Sequence, residues 1–591
     1  MSGGDLRSAG RPARTSRAAR LLFVALWLGA AQAPAQVPDE PERASGFVPK
    51  PAVHAPRAMA VTANPHATEA ARSILEAGGS AADAAIAAAL VLGVVEPQSS
   101  GLGGGGFALY FDRVAGRVEA WDGRETAPQA VDASLFLEPG GAPMAFHDAV
   151  IGGRAVGVPG VPRLLAELHA RHGRLPWARL FDSAIRLAEQ GFEVSPRLHA
   201  LVAADPHLHR DAAARALFFD GSGRPLAVGE RLVNSALART LRVLARDGAG
   251  AFYGGEIAVA VAAAAQAGPN PGRLGVDDMR RYRVVRRQAL CAPYRNWRVC
   301  GMPPPSSGGG TLLAMLGMLE RFPLDRLDPD SAFPLHLFAE AGRLAYADRD
   351  AWYGDPATMA VSPAQLLDRR YLGGRAAQIG LDASLGRAAP GEPAAGLRPA
   401  RAVEAERPAT SHLSVVDAQG NAVALTASIE DAFGSRRMAA GFLLNNQLTD
   451  FSFLPRDARG AHPNRVAPGR RPRSSMAPTL VLAADGGLHA VLGSAGGSSI
   501  INYVAAAVVG LTDWRLPPDA VLQRPHVGSR NGPTEVENRP EGRQLAGRLR
   551  LFGHQVVLRD LTSGSSVIVR AGDGGWIGAA DPRREGSAAG F

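Results

Sequence analysis

The chain has 591 residues, 46% of them hydrophobic and 20% charged, the balance of a globular protein with material for a large core and roughly two to four domains. Its formal net charge of +9 would suit a nucleic-acid binder, but Lys50 is the only lysine, so nearly all of the positive charge is arginine and reads as compositional bias. Five Arg and one Asp lie before residue 36, and no dense basic run interleaved with aromatics follows them, which excludes nucleic-acid binding.

At the start, the Arg-containing "RPARTSRAAR" precedes the apolar "LLFVALWLGAA", and "APA" at 33–35 supplies small residues for cleavage. This pattern predicts a secretory signal peptide over 1–35; the alternative, an uncleaved anchor, has an apolar run short for a full span. No other segment is long and apolar enough to cross a bilayer, so a periplasmic or secreted location is expected. Export would place the only two cysteines, Cys291 and Cys300, in an oxidising compartment. They flank "APYRNWRV", which reads as a hairpin and leaves a structural cross-strand disulfide open to them.

Residues 68–95 read as two helices, "TEAARSILEAG" and "SAADAAIAAALVLGVV", joined at Gly78 and Gly79, with Ser80 as N-cap and Pro97 as the stop. In "GLGGGGFALYF", Gly101, Gly103 and Gly106 satisfy the dinucleotide-binding spacing. That fingerprint needs a strand before and a helix after, and here the order is reversed, so a close-packed glycine turn is expected instead. Residues 155–265 are mostly helical in pattern. "MPPPSSGGG" is a rigid turn leading into a helix, and "LHLFAEAGRLAYADRDAWYGDP" is an amphipathic helix closed by Gly354 and Pro356.

Residues 385–409 are rich in Ala, Pro, Arg and Gly with almost no large apolar side chains, and predict a flexible linker. It is followed by "TSHLSVVDAQGNAVALTAS", two alternating runs around turn residues. A hairpin centred on Gln419 sets Leu413 opposite Leu425 and Val415 opposite Val423, all on one face. The same register sets Thr410 opposite Ser428 on the other face. An ordinary hairpin after a loop would read the same way. Strands "GFLLNN", "PTLVLAA" and "LHAVLGSAGG" come next, the last running into the helix "IINYVAAAVVGL". Strands with helices on both sides suggest a layered sandwich.

Several chemistries are missing from the sequence. There is no H-E-x-x-H, no G-x-S-x-G and no phosphate-binding G-x-x-x-x-G-K-[ST], and the pairs His207/His209 and His169/His172 read as solvated. Consecutive amides at Gly496 and Gly497, ahead of a helix, could cradle an oxyanion or form only a tight turn. Gln447 and Asp450 in "NNQLTD" could hold an ammonium, Ser474 and Ser475 in "RPRSSMAPT" could bond a carboxylate, and Arg124 in "WDGRETAP" offers a carboxylate fork. Singly, each could equally be surface decoration.

Together these stretches resemble the gamma-glutamyltransferase (glutathione hydrolase) family of the N-terminal nucleophile hydrolase superfamily. The likeness spans roughly residues 58–560 and is carried by "GGSAADAAIAAALVLGVVEPQSSGLGGGGF", "DGRETAP", "MPPPSSGG", "AEAGRLAYADRDAWYGDP", "TSHLSVVDAQGNAVALT", "LLNNQLTDFS", "RPRSSMAPT" and "GSAGGS". It implies an α+β, four-layer αββα sandwich whose precursor cuts itself before Thr410, giving a large subunit 36–409 and a small catalytic subunit 410–591 that stay together as a heterodimer. The catalytic set it implies is Thr410 and Ser428, with Gly496 and Gly497 as oxyanion hole. Arg124, Ser474 and Ser475 would bind the α-carboxylate of a γ-glutamyl group, and Gln447 and Asp450 its α-amino group. The expected activity is γ-glutamyl transfer from glutathione and related amides to water or an amine acceptor, with no metal or organic cofactor implied.

One departure stands out: the family's Asn two residues after the hairpin's final Ser is Glu430 here, a carboxylate that can bind an ammonium but has no N–H to donate. The loop at 451–473 also has no Tyr and looks shorter than the lid of some members. Two rivals follow, a same-fold acylase acting on other amides or dicarboxylic acyl groups, and an uncleaved binding protein without catalysis.

Overall fold

The hairpin at 410–428 sits in the middle of the protein. In the computed structural model, which describes residues 1, 44–397, 399, 409–458 and 460–591, strands Thr410–Val416 and Ala422–Ser428 pair antiparallel. The register sets Thr410 against Ser428, Leu413 against Leu425 and Val415 against Val423, as the alternation predicted. Both strands lie inside a seven-stranded antiparallel sheet in the order Ser587–Gly590, Met59–Thr62, Thr410–Val416, Ala422–Ser428, Gly105–Asp112, Arg117–Gly123, Val285–Gln288. A second seven-stranded antiparallel sheet runs Val53–Ala55, Trp576–Ala580, Ser566–Arg570, Leu488–Gly493, Thr479–Leu482, Trp297–Gly301, Leu290–Tyr294.

The period of two in the hairpin separates two cores. Leu413, Val415, Val423 and Leu425 pack with helices Pro65–Glu76, Ala81–Val95 and Val161–His172 outside the first sheet. Val416, Ala422 and Ala424 face the other way and pack with Val491 and Ile568 of the second sheet. That core continues to helices Gly308–Leu319, Ala332–Trp352 and Ile500–Thr512 on the far side. Helix, sheet, sheet, helix is the four-layer αββα sandwich expected. Thr410 shares a face with Val416, so its side chain is on the inter-sheet side.

Local chemistry accounts for the element ends. Ser80 caps the helix Ala81–Val95 in a capping box with Asp83. The helix before it begins at Pro65, three residues earlier than the apolar pattern suggested, because Asn64 caps it and Pro65 occupies the first turn. The glycine run after Pro97 is a close-packed turn: a Cβ on Gly104 would lie 2.2 Å from the Ser428 carbonyl oxygen, so this turn and the end of the hairpin meet backbone to backbone. Cys291 and Cys300 are paired across their hairpin and are disulfide-bonded.

Two expectations need correcting. "GFLLNN" contributes only a two-residue strand, Phe442–Leu443, paired with Met438–Ala439 apart from the main sheets, because Gly441 and the following Asn pair turn the chain. The linker 385–409 is tied down at its start: Ala388 N–H donates to Asn531 Oδ1 at 2.8 Å and Gly391 N–H to Asp348 Oδ1 at 2.7 Å. Its residues 398 and 400–408 lie outside the described set, as does the signal-peptide stretch apart from Met1. Strands from both sides of residue 410 are intermixed within the first sheet, so a cut there would divide the chain without dividing the core.

Candidate active site

Thr410 is nearly fully buried at the head of its strand, with the chain continuous through Ala409. The Ser428 hydroxyl is the hub: it donates to the Ala409 carbonyl oxygen at 2.5 Å and accepts from Thr410 Oγ1 at 3.3 Å and from Glu430 N–H at 2.9 Å. One hydroxyl therefore polarises the carbonyl preceding Thr410 and lies on the path of the Thr410 proton. From behind, Arg584 Nη1 donates to the Thr410 carbonyl at 3.1 Å and Nε to the Ser563 carbonyl at 3.1 Å, fixing the strand end to the 562–564 loop.

Nine of the ten residues nominated from the sequence line one narrow cleft: Thr410, Ser428, Arg124, Glu430, Gln447, Asp450, Ser474, Ser475 and Gly497. The tenth, Gly496, precedes Gly497 in the turn; the two have φ of 126° and 55°, and a Cβ on Gly496 would lie 2.5 Å from the Tyr503 ring. Neither amide finds a main-chain acceptor among the described residues, which leaves two N–H groups at the start of the helical segment 497–512. Arg530 Nη1 pins the Ser498 hydroxyl at 2.6 Å and Tyr346 bonds the Ser498 carbonyl.

Arg124 follows the strand Arg117–Gly123 and is completely buried. Its backbone is fixed by Asp122 Oδ1, which accepts its N–H at 2.9 Å, and by Tyr282 and Arg471, which donate to its carbonyl at 2.8 and 3.0 Å. Its guanidinium donates to Asp450 Oδ2 and to the carbonyls of Arg473 and Pro472, while Nη1 has no hydrogen-bond acceptor. Nη1 lies 3.7 Å from Glu125 Oε2, a carboxyl whose pKa burial pushes up to about 8 and whose two oxygens have no hydrogen-bond donors.

Asp450 also accepts from Gln447 Nε2 at 2.8 Å, within the 3₁₀ turn Gln447–Asp450. Glu430 has φ of 81°, unusual for a residue with a side chain, and Asn446 Nδ2 donates to its Oε2. Opposite them, the Ser474 main chain is held by Pro305 O and Ser307 N–H, at 3.0 and 2.8 Å. The Ser475 hydroxyl accepts from Arg349 Nη2 at 2.7 Å.

Reading the sequence missed Asn446, Glu125, Arg349 and Arg584. Asn446 and Glu125 stand beside residues that were chosen, and Arg349 lies in "AEAGRLAYADRDAWYGDP", a stretch from which none was; Arg584 carries no signal in its surroundings. A second cluster, His336, Glu340 and His554, has ligand atoms within 4.8 Å of one another. Its groups are already partnered: His336 Nε2 donates to Gly380 O at 2.8 Å, so Nδ1 accepts from His554 Nε2 at 2.7 Å, and Glu340 accepts from Ser384, Leu385 and Arg343. This is a satisfied buried network.

An αββα sandwich with a hydroxyl heading one of its central strands is the architecture of the N-terminal nucleophile hydrolases, and the chain is one of them. A family model described as Gamma-glutamyltranspeptidase matches residues 67–591. The chain belongs to that family and is an enzyme with its activity, the hydrolysis and transfer of γ-glutamyl groups. It is 34% identical over 581 residues to the glutathione hydrolase proenzyme of Escherichia coli K12, covering 95% of this chain and 97% of that one. It is also 34% identical to the acylase ACY 1 proenzyme of Pseudomonas sp. strain V22, over 90% of this chain and 93% of the other. Among solved structures, a cephalosporin acylase from Bacillus halodurans superposes with a TM-score of 0.80 at 28% identity, covering 95% of this chain and 99% of that one.

Proposed function

We propose that the precursor cleaves itself between Ala409 and Thr410, and that Thr410 then carries γ-glutamyl groups from glutathione and related amides to water or an amine. The observation that carries this reading is the Ser428 hydroxyl bridging Thr410 Oγ1 and the Ala409 carbonyl. In cleavage, Thr410 Oγ1 attacks the Ala409 carbonyl carbon and passes its proton toward the departing Thr410 nitrogen by way of Ser428, leaving an ester. That step already frees the Thr410 α-amino group; water then hydrolyses the ester, releasing the Thr410 hydroxyl and a carboxylate on Ala409. The fragments 36–409 and 410–591 remain bound, since strands of both are hydrogen-bonded neighbours in one sheet.

In turnover the new α-amino group, with an ordinary pKa of about 7.7 to 8.0, takes the proton of its own hydroxyl as that hydroxyl attacks the donor's γ-carbonyl. The amides of Gly496 and Gly497 receive the oxyanion, and the tetrahedral intermediate expels the donor's amine to leave a γ-glutamyl ester on Thr410. Water or an acceptor amine then attacks the ester. Arg124 Nη1, Ser474 and Ser475 take the donor's α-carboxylate, and Gln447, Asp450 and Glu430 take its α-ammonium. The leader-like residues 1–35 and the Cys291–Cys300 disulfide support a periplasmic or secreted location. Among the described residues, no helix is long and apolar enough to cross a membrane.

The test is end-group analysis of the purified protein together with a release assay on γ-glutamyl, glutaryl and α-glutamyl anilides. A fragment beginning at Thr410 and a preference for the γ-glutamyl anilide are expected. A second reading, an acylase for dicarboxylic acyl groups, is supported by the 34% identity to the acylase ACY 1 proenzyme, and a glutaryl preference would establish it.

A further inference from the structure

We infer that Arg349 is a positioning residue of the donor-carboxylate pocket, acting through the Ser475 hydroxyl. This rests on the proposed placement of the donor carboxylate at Arg124, Ser474 and Ser475. Arg349 is buried near the end of the helix Ala332–Trp352, where its guanidinium bonds Ser475 directly and Ser474 by way of Ser307. Nη2 donates to Ser475 Oγ at 2.7 Å, and Nε donates at 2.9 Å to Ser307 Oγ, which in turn donates at 2.7 Å to the Ser474 carbonyl. One side chain thereby fixes a hydroxyl of one serine and the main chain of the other.

The consequence lies in the direction of the Ser475 hydroxyl. An oxygen with a lone pair committed to a cationic N–H is a stronger donor through its own proton; the Arg349 guanidinium's charge is shared with Asp350, which accepts from Nη1 at 2.7 Å, so the hydrogen bond to Ser475 carries the effect. Ser474 is arranged alike, its Oγ accepting from Met476 N–H at 3.2 Å. Arg124 Nη1, without an acceptor of its own, supplies the third donor. A carboxylate that receives all three meets one guanidinium directly and two serine hydroxyls, one of them polarised by Arg349. Arg349 therefore selects for acyl groups that bear the α-carboxylate.

The experiment compares γ-glutamyl anilide with 4-aminobutanoyl anilide, which keeps the amine and lacks the carboxylate. Arg349→Met should raise KM for the γ-glutamyl donor roughly tenfold and leave kcat/KM for the 4-aminobutanoyl donor unchanged, and Arg349→Lys should recover part of the loss. Equal losses on both donors would make the role merely structural and overturn the inference. In a Ser475→Ala background the same Arg349 substitution should cost clearly less than about tenfold, because only the route through Ser307 to the Ser474 main chain remains; an undiminished tenfold loss also overturns it. Should Arg349→Met fail to mature, Arg349→Lys decides: a loss of about threefold confined to the γ-glutamyl donor supports the inference, and no selective loss refutes it. Ser475→Ala alone separates the two levels. If it leaves KM for the γ-glutamyl donor unchanged, the carboxylate placement itself is wrong; if it raises KM but Arg349 shows no coupling to it, only the present inference falls.

Discussion

Arg124 and Asp450, the two residues assigned to opposite ends of an amino-acid zwitterion, are bonded to each other, with Asp450 Oδ2 accepting from Arg124 Nη2 in a buried pair. The arrangement keeps each charge compensated while no donor is bound, which matters because an uncompensated buried charge is costly. It also leaves Arg124 Nη1 directed elsewhere, without an acceptor. Arg124→Lys keeps a charge but cannot reach Asp450, the Arg473 carbonyl and a substrate at once. The expected outcome is normal maturation and a kcat/KM on γ-glutamyl anilide reduced roughly ten- to a hundredfold, the equivalent of about 1.5 to 3 kcal/mol. Unchanged kcat/KM would remove Arg124 from the site.

Self-cleavage should fail in two distinguishable ways. Thr410→Ala removes the attacking oxygen, so a single band of precursor is expected on denaturing electrophoresis, indefinitely. Ser428→Ala keeps the nucleophile but removes the donor to the Ala409 carbonyl, so cleavage should slow by about a hundredfold or more and still yield the same two fragments. Two fragments cut after Ala409 in Thr410→Ala would refute the proposed chemistry.

Glu125 predicts an alkaline limb in donor binding. Burial raises its carboxyl pKa to about 8, so at pH 7 it is mostly neutral and sets no competing charge beside Arg124 Nη1, 3.7 Å away. As the pH rises through about 8 the carboxylate forms and competes with the donor for that guanidinium. KM for γ-glutamyl anilide should therefore climb above pH 8 in the native enzyme, more steeply than in Glu125→Gln, where nothing titrates at this position. The donor's own amine ionises identically in both, so the difference between the two profiles isolates Glu125. Superimposable profiles would show that Glu125 stays uncoupled from the donor site.

The parts of this site legible in the sequence are those set by local rules. The period of two fixed Thr410 against Ser428, and turn chemistry placed Gly496 and Gly497 ahead of a helix. The partners that tune those groups come from far along the chain: Arg349 lies 126 residues from Ser475, and Arg584 lies 174 from Thr410. No periodicity links such pairs, and an arginine in a chain so rich in arginine carries no signal of its own. The pairing of Arg124 with Asp450 was hidden for another reason: each residue was assigned to substrate, and a site without substrate satisfies its charges internally.

Glu430 is where the chain leaves its family's pattern, and its geometry sharpens what should follow. Its backbone is in the left-handed region and its Oε2 is held by Asn446, so the carboxylate is fixed in the cleft with Asp450. An incoming α-ammonium would meet two carboxylates, one of them already shared with Arg124, which favours donors bearing the amine more strongly than an amide side chain would. A glutaryl donor keeps the γ-acyl chain and a terminal carboxylate but brings no cation to meet Glu430 and Asp450. The rate ratio of γ-glutamyl to glutaryl anilide should therefore be large in the native enzyme. Glu430→Asn should narrow it about tenfold, since one like-charge repulsion of about 1.4 kcal/mol is removed. Parallel kcat/KM measurements on the two anilides check this. A native enzyme that prefers the glutaryl anilide would sink the γ-glutamyl specificity and leave the acylase reading in its place.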